Sequence, residues 1–177
     1  MDDKDRVYLG SFHPDWTGGL GINLSWKNIT FSTALYASVG NEIYNRNKVY
    51  TDFAQSELFN HGTVILDAWT PENTGSSIPM VILDDKGNNE FRASSYFIED
   101  GSYLKVRHLK LGYQVPKDWL KFAGANVYVE VQNPFILTGY SGVDPELPFE
   151  GNSNIPGIDN GAYPLARTIL LGVSINL

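Results

Sequence analysis

The titratable side chains of this sequence offer few combinations that resemble a reaction centre. His13, His61 and His108 stand in separate segments with no ligand spacing, so no metal site is expected. There is no cysteine, which excludes a thiolate ligand, a cysteine nucleophile and a disulfide framework. The run Asp84-Asp85-Lys86-Gly87-Asn88-Asn89-Glu90 has the groups of a calcium loop but neither its D-x-[DN]-x-[DN]-G order nor the distant glutamate. A solvated β-turn is the expected structure there. Asp144, Glu146 and Asp159 are candidates for the paired carboxylates of glycoside hydrolysis. They lie among Pro and Gly, however, where Asp144-Pro145 and Asn160-Gly161 have ordinary turn roles. No G-x-S-x-G elbow, phosphate-binding G-x-x-x-x-G-K-[ST] loop or H-E-x-x-H helix occurs. The chain is therefore expected not to be an enzyme and to need no cofactor. Binding chemistry remains: the rings of Trp69, Tyr96 and Tyr140 suit stacking on sugars, with packing between loops as the competing role.

Composition narrows the class further. Lys and Arg number 13 against 20 Asp and Glu, a net charge of −7, so no basic stripe is available to neutralise nucleic-acid phosphates. Aromatic residues make up 13%, too many for wholesale disorder. Gly (17), Asn (15) and Pro (9) demand frequent turns and argue against a helical bundle. A length of 177 residues suits one domain. No apolar run is long enough for a transmembrane helix, and Met1 to Arg6 lacks the apolar stretch of a signal peptide. Neither observation bears on a transmembrane β-barrel, whose strands alternate only weakly.

Period-two alternation locates the strands. Leu20, Ile22, Leu24 and Trp26 share one face, and after the polar pair Lys27-Asn28 the faces of Ile29, Phe31, Thr33, Leu35, Ala37 and Val39 follow. Leu109, Leu111, Tyr113 and Val115 alternate similarly, but upstream the apolar parity switches to Leu104 and Val106, which predicts a bulge. Pro116 stops that strand, and a helical turn over residues 117–122 leads to Val127, Val129 and Val131. Ile169, Leu171, Val173, Ile175 and Leu177 form the last strand. The expected architecture is all-β, an open antiparallel meander of five strands near 19–26, 29–39, 103–115, 125–137 and 166–177. Its connections alternate between short turns and two long loops, over about 41–102 and 138–164. Short turns at one end and long loops at the other are the pattern of an outer-membrane barrel. Trp26, Tyr113, Trp119 and Phe122 at the turns, and Tyr36, Tyr103, Phe135, Tyr140 and Tyr163 at the loops, suit two aromatic belts. Five strands are too few to close a barrel. Alternation alone fits equally well a secreted β-sandwich module that binds carbohydrate.

Four ordered blocks separate these readings. The first is Asp67-Ala68-Trp69-Thr70-Pro71-Glu72-Asn73-Thr74. The second joins Ile98-Glu99-Asp100-Gly101-Ser102-Tyr103-Leu104-Lys105 to Leu109-Lys110-Leu111-Gly112-Tyr113-Gln114-Val115-Pro116. The third is Val127-Tyr128-Val129, then Asn133, then Thr138-Gly139-Tyr140-Ser141-Gly142-Val143-Asp144-Pro145-Glu146. The fourth is Asp159-Asn160-Gly161-Ala162-Tyr163-Pro164-Leu165-Ala166-Arg167-Thr168, then Gly172. In order, spacing and content, from about Leu9 to Leu177, they resemble the C-terminal end of SusC/RagA-type TonB-linked outer-membrane receptors of Bacteroidota.

The resemblance implies a 22-stranded transmembrane β-barrel in the outer membrane, with an N-terminal plug and the two long loops external and carrying short helical pieces. It implies import of oligosaccharides or peptides with energy passed from the TonB complex, beneath a SusD-like lipoprotein lid. Residues 1–177 would be the C-terminal segment of that barrel, with plug and most strands absent. Such a segment is expected neither to transport nor to catalyse alone. Trp69, Tyr96, Tyr140 and Asp144 would then lie where a glycan, a peptide or the lid can touch them, and Arg167 with Asp159 would anchor a loop across the final strand. Leu177 departs from the aromatic residue with which the family tends to end.

Overall fold

The structure is a computed structural model that describes residues 6–53, 60–81, 93–120, 124–147 and 156–176. Five long strands carry it: β1 (Trp16–Trp26), β2 (Ile29–Val39), β5 (Tyr103–Val115), β6 (Gly124–Thr138) and β8 (Thr168–Asn176). Three short ones, β3 (Glu42–Asn45), β4 (Ile98–Asp100) and β7 (Ile158–Asp159), lie in the long connections. The helices are single turns, α1 (Lys48–Thr51) and α2 (Lys117–Leu120), with 3₁₀ turns at Thr63–Asp67 and Ser95–Phe97.

The long strands pair in the order β1-β2-β5-β6-β8, every pair antiparallel, with short turns joining β1 to β2 and β5 to β6 and the two long connections joining β2 to β5 and β6 to β8. The expected meander and its strand positions are observed, with β1 beginning earlier because Trp16 pairs with Val39. The β1–β2 turn is tight, Lys27 taking a φ of 53°. Phe122, Leu177 and the run from Asp84 to Glu90 lie outside the described residues.

Register explains the parity switch. His108 opposes Ala34, but Val106 opposes Leu35, so Arg107 is an extra residue against β2. On the other side, Asn133 and Pro134 face Arg107 between the pairs His108–Gln132 and Val106–Phe135. Asn133 reaches this bulge with a φ of 49°, a left-handed conformation that asparagine tolerates, and its Nδ2 donates to Ala166 O at 3.1 Å. The Thr33 hydroxyl donates to the carbonyl of His108 at 2.8 Å beside the same irregularity. The bulge keeps Leu104 and Val106 on the face of Leu109 and Leu111, so one apolar surface runs the whole height of the wall.

That surface is bare. Leu24, Leu111, Leu137, Ile169, Leu171, Val173 and Ile175 are all exposed, Leu171 at 83%. Among the described residues no second sheet covers it, which removes the β-sandwich alternative. The buried apolar cluster, Val49, Phe53 and Phe97, lies instead within the loops. Trp26, Trp119 and Tyr113 are exposed at the turn end, as a belt requires. The loop-end belt differs from expectation. Trp16 and Phe135 face outward, whereas Tyr36 and Tyr103 pack against each other on the inner face, ring centroids 6.1 Å apart.

The inner face is polar, carrying Asn126, Tyr128, Glu130 and Gln132 on β6. Gly172 is opposite Tyr128, and a Cβ there would stand 2.2 Å from the ring's Cζ. The ring covers this gap, and Lys110 lies over it, Nζ 3.9 Å from the centroid. Gly112 takes the neighbouring place, a Cβ meeting the Thr30 hydroxyl at 2.5 Å.

Candidate functional site

Both long loops fold toward each other above the wall. Strand β3 pairs antiparallel with β4 and parallel with β7, so one small sheet draws on both connections. No periodic signal in the two long connections announces this small sheet. Glu99, on β4, is its hub: its carboxylate accepts from Lys48 Nζ at 2.9 Å, from the Ser141 amide and hydroxyl at 2.8 Å each, and from Asn45 Nδ2 at 3.0 Å. Burial pushes the Glu99 carboxyl up, but the donors from Lys48, Ser141 and Asn45 outweigh it and hold the group below the ordinary glutamate range.

A folded pKa below the unfolded one contributes stability that is present above the unfolded value and lost as pH falls through the folded one. Proteolysis of the loops should therefore be slow at neutral pH and accelerate as pH drops below about 4.3. Glu99→Gln should remove most of that acid dependence. Equal cleavage of wild type and variant across the range would refute the hub.

Each candidate residue has a definite place. Tyr96 packs edge-on to Phe97 and Phe53, and its hydroxyl donates to Asp52 Oδ2 at 2.8 Å. Burial and the Asp52 hydrogen bond raise its pKa, so the hydroxyl stays a donor. Tyr140 is buried, its hydroxyl 2.7 Å from Asp159 Oδ2. Burial, then that bond, raises its pKa also. Asp159 Oδ1 accepts the amides of Gly161 at 2.9 Å and Ala162 at 3.0 Å. Gly161 serves this turn with a φ of 87°. The expected Arg167–Asp159 pair is not formed: the described donors on the Asp159 carboxylate are Tyr140 and these two amides, and Arg167 is exposed.

Asp144 lies against the wall. Lys105, 3% exposed on the inner face of β5, reaches Asp144 Oδ2 at 3.0 Å and Glu146 Oε2 at 2.7 Å. Arg107 Nη1 donates to Glu146 at 2.9 Å. The Glu146 amide returns to Asp144 Oδ1 at 3.0 Å, which is how Pro145 between them forms a compact turn. The signal for this cluster was available, since Lys105 and Arg107 share the inner parity of their strand.

Trp69 stands apart and exposed, its amide donating to Ile78 O at 2.9 Å. Below it, the Asn73 amide closes the Thr70-Pro71-Glu72-Asn73 turn on Thr70 O at 3.0 Å, while Asn73 Nδ2 binds Asp67 Oδ1 at 3.1 Å. Gly101 is buried beside Asn41 and Ile43, where a side chain would collide with both. Gly142, Tyr163 and Pro164 line a cavity of about 1100 Å³ between the loops. Tyr96 borders that cavity; Trp69, Tyr140 and Asp144 do not.

No family model matches the chain. It is 34% identical to the TonB-dependent receptor SusC of Bacteroides thetaiotaomicron over 99% of this chain and 16% of that protein. It is 33% identical to TonB-dependent receptor P3 of Formosa agariphila, over 99% of this chain and 18% of that protein. Over nearly its whole length the chain matches the C-terminal part of SusC-type TonB-dependent receptors. The RagAB peptide importer, solved in a closed-closed state, superposes on this receptor segment with a TM-score of 0.78 at 24% identity, over 95% of this chain and 18% of that one. The segment thus spans less than a fifth of the relatives it matches, and corresponds to their C-terminal part. These relatives are receptors and transporters rather than enzymes, and TonB-dependent receptors are outer-membrane proteins.

Proposed function

We propose that residues 1–177 are the C-terminal barrel segment of an outer-membrane nutrient importer, whose complete wall has 22 strands. The observation that carries this is the bare apolar face on strands of 11, 11, 13, 15 and 9 residues. A tilted strand crosses a bilayer in about 9–11 residues. Lipid satisfies that face, while the polar face lines a wet lumen and the two sheet edges pair with neighbouring strands of the same barrel. In the complete receptor a plug closes the lumen, TonB supplies energy through an N-terminal region, and a SusD-like lipoprotein covers the loops. The ligand is an oligosaccharide or a peptide. Trp69 offers an exposed ring to it or to the lid, while Tyr96, Tyr140 and Asp144 hold the loops in the shape that receives it.

The test is complementation of a receptor-deletion strain with full-length variants. Leu171→Arg, on the lipid face, should cost about 2–4 kcal/mol and deplete assembled receptor. Ser174→Lys, on the inner face, should assemble normally. Trp69→Ala should assemble but lower uptake or lid binding. A Leu171→Arg receptor present in the membrane at the wild-type level would contradict the assignment of faces.

A further inference from the structure

We infer that Lys27, at the β1–β2 turn, holds the phosphate of an anionic phospholipid in the leaflet that meets the turn end of the wall. The site rests on the lipid-facing reading of the wall, to which it adds a headgroup contact. Among the paired residues of the five long strands, the apolar face carries no charged side chain. Lys27 follows Trp26 directly and is the first charge beyond that face on β1. Its Nζ lies 4.9 Å from the centroid of the Trp26 ring. Among the described residues it has no carboxylate partner, the ion pairs belonging to Lys48, Lys105, Arg107 and Lys110.

The backbone gives a second, independent reason. Lys27 has a φ of 53°, in the left-handed region where a β-carbon crowds the chain and Gly or Asn is the usual occupant. The conformation is held from the neighbouring strand, since the Gln114 amide donates to Asn28 O at 2.7 Å. The turn as such gains nothing from lysine, so what the strain retains is the ammonium group.

The surroundings suit a headgroup. Trp26 opposes Ile29, which opposes Tyr113, so two exposed rings and an exposed aliphatic side chain share one rung at the turn end. Such rings settle at the boundary between acyl chains and headgroups, where the indole N–H and the Lys27 ammonium can both donate to phosphate oxygens. An anionic lipid is favoured over a zwitterionic one, because the latter brings its own cation to its phosphate.

The experiment is fluorescence quenching of the full-length receptor in phosphatidylcholine vesicles. The quencher is phosphatidylglycerol or phosphatidylcholine brominated on its acyl chains. Each receptor is measured with and without Trp26→Phe, and the emission that this change removes reports on the lipid beside Lys27. Wild type should favour phosphatidylglycerol about fivefold at that ring, the size expected of one lysine near an anionic surface. High salt should erase most of the preference. Lys27→Gln and Lys27→Gly should each abolish it, the glycine variant at wild-type receptor levels because glycine takes this turn without strain. Lys27→Arg should keep it. The site is overturned if wild type shows no preference, or if either uncharged variant retains it. The two readings fail separately. A Trp26 that neither brominated lipid quenches removes the lipid-facing wall, whereas equal quenching by both removes the headgroup site alone.

Discussion

Lys105→Met in the full-length receptor should lower the unfolding free energy by about 3–5 kcal/mol, the scale for breaking a buried ion pair from one side. Lys105 and Asp144 are nearly inaccessible, so the variant strands a carboxylate where water cannot solvate it. Glu146 is more accessible and keeps Arg107, so most of the loss belongs to Asp144. A second substitution tests that attribution. Adding Asp144→Asn removes the stranded charge and should recover more than half of the loss, whereas Arg107→Ala, at a half-exposed pair, should cost about 1 kcal/mol. Urea unfolding in detergent measures all three. Equal stability of wild type and Lys105→Met would mean that the Asp144-Pro145-Glu146 turn is held by its backbone alone.

Asp159→Ala should be comparably damaging, by about 3–5 kcal/mol, through a different mechanism. One carboxylate serves three donors: the buried Tyr140 hydroxyl and the amides of Gly161 and Ala162. Each buried donor left unpaired costs about 1–3 kcal/mol, discounted here for the amides because Gly161 is exposed. Asp159→Asn keeps one acceptor oxygen and should lose about half as much. Tyr140→Phe removes one donor with its bond and should cost about 1 kcal/mol. Hydrogen exchange at Gly161 and Ala162 distinguishes the variants: fast in Asp159→Ala, protected in Tyr140→Phe. Protection in both would place the anchor elsewhere.

The long strands and the bulge were legible because an apolar face and a polar face alternate residue by residue, and Arg107 breaks that alternation visibly. The loop architecture was not. Tyr44 meets Ile158, and Asn45 meets Ser141, across long stretches of chain with no periodic signal at either end. Asp159 and Glu99 read as turn and loop carboxylates because their partners are amides and hydroxyls, which occur everywhere in a sequence. Tyr140 was legible as a loop residue, yet burial rather than residue type decides that its ring packs inward. Asp144 reads in the sequence as a turn residue and a ligand or lid contact, and Glu146 as a turn residue, although the inner-facing Lys105 and Arg107 supply the charge that places them.

The parallel β3–β7 pair also dictates an order of assembly. In the meander every long strand bonds to the next long strand of the chain, β1 to β2 and β5 to β6 across short turns, β2 to β5 and β6 to β8 across the two long connections, whose closure entropy grows only slowly with length. The β3–β7 contact must wait, because its partners are separated by β4, β5 and β6 and come within reach only when those strands are in place. The cavity between the loops is therefore closed only once β2, β5 and β6 have paired, and a chain halted before that point would display strands without it.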